Sequence, residues 1–189
     1  QFSFMSEKTM LGRMGAERFA GIDVLSFTSL AEKLVGKPAF HERRRLDEPA
    51  KAALMSFALE AVKDKLNLYS EHTERSSVIE EFVSLASEFK QSAVPPEQLA
   101  IAAAEMEDCL LKSKLADISL TLEAYNALVG SSYFDPDDLL GELNELLPES
   151  DYFADRLVFI DGFRGFTAQE HKVIEHMLRR SPAVYVTLC

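Results

Sequence analysis

The sequence predicts an α/β fold that carries a large all-α insertion. Three observations predict it. Short strand-like runs stand at Ile22-Asp23-Val24-Leu25-Ser26-Phe27, at Leu157-Val158-Phe159-Ile160 and from Ala183 to Leu188. Between the first and second, from about 38 to 150, apolar residues recur at spacings of three and four, the period of a helix. The last two runs are separated by one helical segment and short connections, a βαβ pattern that favours a parallel sheet. All three strands are expected to share that sheet.

Each element has a local reason. Glu7 to Met14 reads as a short helix stopped by Gly15, and Thr28 to Val35 as a helix ended by Gly36, Lys37 and Pro38. Asp47 is an N-cap, with Pro49 tolerated in the first turn. The helix that follows carries Ala53, Leu54, Phe57, Ala58, Ala61, Val62 and Leu66 at spacings of three and four. Ser77-Val78-Ile79-Glu80 has the capping-box pattern ahead of Phe82, Leu85, Ala86 and Phe89. Pro95-Pro96 separates that helix from an Ala-rich one at 97–107; another spans about 110–129 and ends at Gly130. Asp135-Pro136 opens a helix with Leu139, Leu140, Leu143 and Leu147. Leu157 to Ile160 is a continuous apolar run, expected of a strand buried on both faces. Thr167-Ala168-Gln169-Glu170 is a second capping box, Val173, Ile174, Met177 and Leu178 follow it, and Pro182 breaks the helix.

Composition excludes several classes. The chain has 189 residues, 47% of them hydrophobic, which is a globular composition. A net charge of −11 argues against a generally basic nucleic-acid surface. The two cysteines, Cys109 and Cys189, form neither a disulfide framework nor a Cys-rich metal site, and a reducing cytoplasm is expected. No apolar run has the length of a membrane span, and no signal peptide is visible. An opening Gln1 without Met, and an unterminated strand pattern at Cys189, suggest a piece of something larger.

Asp161 is the most suggestive single residue. It ends an apolar strand, and strand carboxyl ends face the ligand crevice in open α/β sheets. In P-loop ATPases an Asp in this place holds Mg²⁺ on the nucleotide. An Asp before a Gly is also an ordinary turn, and the pattern leaves both readings open. The matching phosphate loop, Gly-x-x-x-x-Gly-Lys-Ser/Thr, is missing from these residues. Gly36-Lys37 is followed by Pro38, and Ala31 stands where the first Gly belongs. Gly162 after Asp161 offers no carboxylate, so hydrolysis at such a site is expected to be weak.

Other constellations carry less. His41, His72, His171 and His176 have no metal-ligand spacing and read as solvent-facing. No nucleophile–base arrangement is legible, so no catalytic residue and no metal ligand is assigned. Arg43, Arg44 and Arg45 form the basic cluster, which either touches a phosphate or is a solvated loop. The acids Asp135, Asp137 and Asp138 suit a helix N-terminus; Glu142, Glu145, Glu149 and Asp151 read as a solvated face.

Three segments resemble a known family, in order and at matching distances. Gln1-Phe2-Ser3-Phe4-Met5-Ser6-Glu7-Lys8 is similar to the segment after the second strand of AddB, also called RexB, the B subunit of bacterial ATP-dependent helicase–deoxyribonucleases. Ile22 to Ala31 resembles that family's next strand and helix. The most specific match is Phe159-Ile160-Asp161-Gly162-Phe163-Arg164-Gly165-Phe166-Thr167-Ala168-Gln169-Glu170. The resemblance implies a superfamily 1-type helicase fold without its P-loop. Residues 1–37 and 156–189 would form part of a RecA-like parallel sheet, domain 1A, with 38–155 as helical domain 1B. It implies a role in processing DNA double-strand breaks with an AddA-like helicase–nuclease subunit, on single- or double-stranded DNA ends. The chain would then be a strand-binding and scanning scaffold with a degenerate ATPase site; the alternative is a helical module that docks the partner subunit. Asp161 and Gln169 would be remnants of the nucleotide and Mg²⁺ site. Gln1, Ser3 and Phe27 would contact DNA, with Phe163 and Phe166 beside them, although core packing is an equal reading for each Phe. Ser29 stands where some members carry Arg, which puts the recognised DNA sequence in doubt. ATP with Mg²⁺ and an iron–sulfur cluster are implied for the full-length parent, none for these residues. The fragment alone is expected to be inactive, and the implied setting is a bacterial cytoplasm without membrane attachment.

Overall fold

The computed structural model describes residues 2–36, 43–130 and 132–188. Helix α1 (Phe2–Met14) ends at Gly15, whose φ of +79° is costly for any other residue. The short α2 (Ala16–Phe19) follows. The strand expected at 22–27 does not form: residues 22–26 join no ladder, and Phe27 opens helix α3 (Phe27–Val35). Ser26 decides the matter locally, because its hydroxyl accepts from the Ser29 amide at 3.0 Å and caps that helix. Alternating apolar residues make a strand only when a neighbour supplies the ladder, and no described strand pairs here.

Next come β1 (Arg44–Arg45), α4 (Glu48–Val62), α5 (Ser76–Gln91), α6 (Pro96–Glu105), α7 (Leu110–Val129) and β2 (Tyr133–Phe134). Asp47 caps α4 as expected, accepting from the Ala50 amide at 2.9 Å. Of the apolar residues read along this stretch, Ala58, Val62 and Leu66 are buried, whereas Phe57 is exposed and Met55 and Leu59 complete the inward face instead. The capping box at Ser77 is not used; α5 begins at Ser76 behind Arg75, with no side-chain cap. Phe82 and Ala86 on α5 are buried as expected. Strands β1 and β2 pair in parallel, Arg44 with Tyr133 and Arg45 with Phe134.

Then follow α8 (Leu139–Leu146), β3 (Leu157–Phe163), α9 (Ala168–Arg180) and β4 (Ala183–Leu188). β3 and β4 are parallel, so the βαβ unit forms as read. Among the described residues this sheet has two strands and is buried on one face, not both: Ile160 points inward, whereas Leu157 is 60% and Phe159 70% exposed. Phe159 instead stacks on Tyr185 of β4, with ring centroids 4.9 Å apart.

The capping box of α9 is complete. The Glu170 amide donates to Thr167 Oγ1 at 3.2 Å, and the Thr167 amide donates to Glu170 Oε2 at 2.8 Å. Thr167→Ala is therefore expected to cost about 1 kcal/mol of stability, read as a lowered urea midpoint at constant slope.

Two apolar clusters result among the described residues. One is built from α4, α5, α6 and α7 around Met55, Leu59, Phe82 and Tyr125. The other joins α3, α8, β3 and α9 around Ala31, Leu143, Leu147 and Val173. Each fully buried Leu, Val, Met or Phe contributes about 2–3 kcal/mol of transfer free energy. The fold is thus helix-rich with small parallel sheets, compatible with an α/β core and a helical insertion.

Candidate functional site at the end of strand β3

β3 reaches its carboxyl end through a bulge. Ile160 is opposite Val186 but Phe163 is opposite Leu188, so β3 holds one residue more than β4 over this stretch. Gly162 takes the bulge geometry at a φ of +80°. The result places Ile160 in the core and Asp161 outside, where the Thr187 hydroxyl donates to Asp161 Oδ1. Gly162 adds no second acid there. A cluster of three or more His, Cys, Asp or Glu able to hold a metal is absent among the described residues.

The residues therefore do not fit an Mg²⁺–nucleotide site by themselves. One carboxylate, already hydrogen-bonded, is present without the backbone cradle that phosphates require. They do not fit an iron–sulfur cluster either, which takes four thiolates. Cys109 caps α7, its sulfur accepting from the Lys112 amide, and Cys189 lies outside the described residues.

Beyond the bulge the chain brings three candidate aromatics together. Phe27 meets Phe163 at 5.4 Å and Phe166 at 6.1 Å, both edge-to-face, and Phe163 lies 5.2 Å from Phe166. Edge-to-face pairs add about 0.5–1.5 kcal/mol each beyond area burial. Phe27 is 8% exposed, so its ring is spent on its neighbours; Phe163 and Phe166 are half-buried. The His171 ring packs on Phe166 at 5.6 Å. His176, read as solvent-facing, instead packs 6.2 Å from Phe153; burial, with Arg180 and Arg179 nearby, holds it below the ordinary histidine value.

The remaining candidates scatter. Gln1 and the side chain of Ser3 lie outside the described residues. Arg43 is drawn inward, 3.1 Å from Glu142 and with its guanidinium 5.8 Å from the Phe134 ring centroid. Arg44 and Arg45 are exposed on β1. Gln169 is buried on α9 against α8, where Asn144 Nδ2 donates to its main-chain carbonyl at 3.1 Å. No hydrogen bond joins Gln169 to Asp161 among the described residues.

Sequence reasoning missed two buried polar centres. Asp117 of α7 accepts from the Asn67, Leu68 and Tyr69 amides. Asp135, Asp137 and Asp138 are bound by Lys51 and Lys90 from α4 and α5, which makes them more than helix-terminal charges. The signal lay in Lys51, a cation on the inward face of its helix.

Taken together, these features define a helix-rich α/β chain with a bulged βαβ corner and a helical bundle beside it. The chain belongs to the family described as "ADDB, N-terminal", whose profile matches residues 1–189. It is 32% identical over 188 residues to the B subunit of an ATP-dependent helicase/deoxyribonuclease of Caldanaerobacter subterraneus subsp. tengcongensis, covering all of this chain and 16% of that protein. Proteins of the same name are 30% identical in Thermoanaerobacter sp. strain X514 and 29% identical in Clostridium tetani; each match covers all of this chain, and 16% and 17% of the relative respectively. The chain thus spans about a sixth of the length of the curated relatives it matches. Among the described residues no helix is long and apolar enough to cross a membrane.

Proposed function

We propose that this chain forms the N-terminal part of the B subunit of a bacterial cytoplasmic ATP-dependent helicase/deoxyribonuclease that processes DNA ends. In that setting it is a strand-binding and scanning scaffold around a degenerate nucleotide site, working with an AddA-like helicase–nuclease subunit. The observation that carries the reading is the family match over the whole chain together with the Asp161-Gly162 bulge. Asp161 is where a nucleotide-site acid belongs, yet its neighbour carries no carboxylate and Thr187 occupies one of its oxygens. The solvent-facing side of the β3–β4 pair supports a larger RecA-like sheet, since such sheets are covered on both faces. On this reading residues 1–37 and 156–189 belong to domain 1A and 38–155 to domain 1B, with α8 packed on the 1A side. ATP with Mg²⁺ and any iron–sulfur cluster would be held by other parts of the full-length protein.

The full-length protein, purified without its partner, is expected to bind a single-stranded oligonucleotide and to show no ATP turnover dependent on Asp161. ATPase activity abolished by Asp161→Asn would overturn the degenerate-site reading. Absence of strand binding would overturn the scaffold. The second reading, partner docking through the helical bundle, is favoured by Phe57, Ile101 and Leu110, which are exposed on an acidic chain. Charged substitutions at these positions would then weaken assembly with the partner and leave strand binding unchanged.

A further inference from the structure

The last turns of α9 pack against the turn that leads into β3. The His176 ring lies 6.2 Å from the ring of Phe153, which is 3% exposed. Arg180 reaches over the same turn, donating to the Pro148 carbonyl at 3.0 Å and standing 3.7 Å from Asp151. From the other side Asp23 holds the turn: its carboxylate accepts from Tyr152 Oη at 3.2 Å and from Arg156 at 3.0 Å. Residues 148–156 are thus fastened twice just before Leu157 begins β3.

His176 is the unusual member of this fastening. Its Nε2 is buried and bonds to no group among the described residues. Ser181 Oγ, buried just past the end of α9, does not bond it. A neutral ring tolerates this, because its one proton can sit on the other nitrogen. In a charged ring both nitrogens are donors, and the proton at Nε2 then has no acceptor.

The neighbouring charges push the same way. Arg180 and Arg179 act on the ring from α9 itself. A helix C-terminus favours a cation, but these two arginines already supply it. Among the described residues no carboxylate bonds the ring. Glu175 is taken by Arg179 at 2.5 Å, and Asp151 of the turn by Arg180. Glu149 and Asp155 of the turn are exposed, and Arg156 shares Asp23 with Lys33 of α3. β4 holds no charged residue; on α8, Glu142 is bound by Arg43 and Glu145 is exposed. Burial first, then the two arginines, hold His176 below the ordinary histidine value.

We propose that His176 is an acid-sensitive clasp on the turn at 148–156: the neutral ring holds Phe153 against α9, and the charged ring releases the turn and with it the start of β3. β3 carries Asp161 toward its far end, so the clasp sets how firmly the candidate site is anchored to α9. It does not depend on the strand-binding reading. Because the folded chain favours the neutral ring, the hold is complete above the unfolded value of about 6.5 and is lost as pH falls below it toward the lowered folded value.

The test uses the full-length protein and hydrogen–deuterium exchange read by mass spectrometry, followed from about pH 7.5 to about pH 5.5, the range in which histidine changes charge. Slow exchange of the imidazole C–H reports the titration of His176 itself, expected below about 6.5. After correction for the intrinsic effect of pH, the amides of 148–156 are expected to exchange severalfold faster in acid, while those of α7 keep their rate. His176→Leu removes the titration and keeps an apolar group against Phe153, and an unfolding curve checks that it folds. The acid response of the turn should disappear in it. A His176 that titrates at or above about 6.5 overturns the clasp. So does an acid response that persists in His176→Leu, or a low titration with no response of the turn. If His176→Leu does not fold, the unsubstituted protein decides alone: the ring and the turn must share one midpoint, and separate midpoints overturn the clasp.

Discussion

Replacing Asp117 by Ala is expected to destabilise the protein by about 3 kcal/mol, one of the two largest effects that the geometry predicts. The carboxylate is 1% exposed. It accepts from the Asn67 amide at 2.8 Å, the Asn67 Nδ2 at 3.0 Å, the Leu68 amide at 2.7 Å and the Tyr69 amide at 3.3 Å. Those donors belong to the turn after α4, which positions Leu66 in the core and the Tyr69 ring against Phe82 at 5.0 Å. Alanine leaves several buried amides without an acceptor, each costing about 1–3 kcal/mol before relaxation. Water entering the gap recovers part of this, so the net is well below the sum. For a chain of this size the loss corresponds to roughly 6–12 °C in Tm. Asp117→Asn keeps one acceptor oxygen and is expected to lose about half as much. A shift of less than about 1 kcal/mol in Asp117→Ala urea curves would show that this turn is held by its apolar contacts instead.

Asp117 also shows where sequence reading stops. Elements fixed by neighbours in the chain were legible. The Thr167 capping box, the Asp47 cap and the helix breaks at Gly15, Gly36 and Pro182 are all local signals, and each appears where its residues stand. Asp117 binds a turn 48–50 residues away, a distance at which spacing carries no information. The same holds for Lys51, whose partner Asp137 lies 86 residues on. The strand expected at 22–27 is absent for the converse reason. Its pattern is sound, but a strand is completed by a partner, and the Ser26 cap is sufficient to start a helix without one.

The candidate site divides in the same way. Asp161 and Gly162 were legible because a strand followed by Asp-Gly is a local motif. The packing of Phe27 against Phe163 and Phe166 is not fixed by spacing, since either a base or a neighbouring ring can cover a Phe. The folded chain supplies the rings itself. The burial of Gln169 against α8 could not be read either, because α8 and α9 come from separate stretches of the chain. What the sequence did hold was Gln169 as an amide on a helix whose inward face is otherwise apolar.

Removing Asp135 is the second large effect, and it tests how the bundle is fastened to α8. Asp135 is 2% exposed and lies 3.2 Å from Lys51 and 2.7 Å from Lys90. It also caps the turn into α8 by accepting from the Asp137 amide at 3.1 Å. Lys51 comes from α4 and Lys90 from α5, so one carboxylate joins two bundle helices to the start of α8. Asp135→Ala leaves two cations short of a buried partner, a loss of about 3–5 kcal/mol for such pairs. Asp137 still holds Lys51 at 2.6 Å and Asp138 holds Lys90 at 2.8 Å, which argues for the lower end, about 3 kcal/mol. The pH dependence separates this from mere loss of packing. Burial alone would raise the Asp135 carboxyl, but Lys90, the Asp137 amide and Lys51 outweigh it and hold it below the ordinary aspartate value. The folded state thus favours the ionised form. Its stabilisation is complete above the unfolded value, about 3.9, and is lost as pH falls below that toward the lowered folded value. Urea midpoints of the parent should therefore fall more steeply below about pH 4 than those of Asp135→Ala, so the gap between the two proteins narrows with acid. A gap that stays constant from neutral pH into that range would assign the loss to the missing cap and packing rather than to the ion pairs.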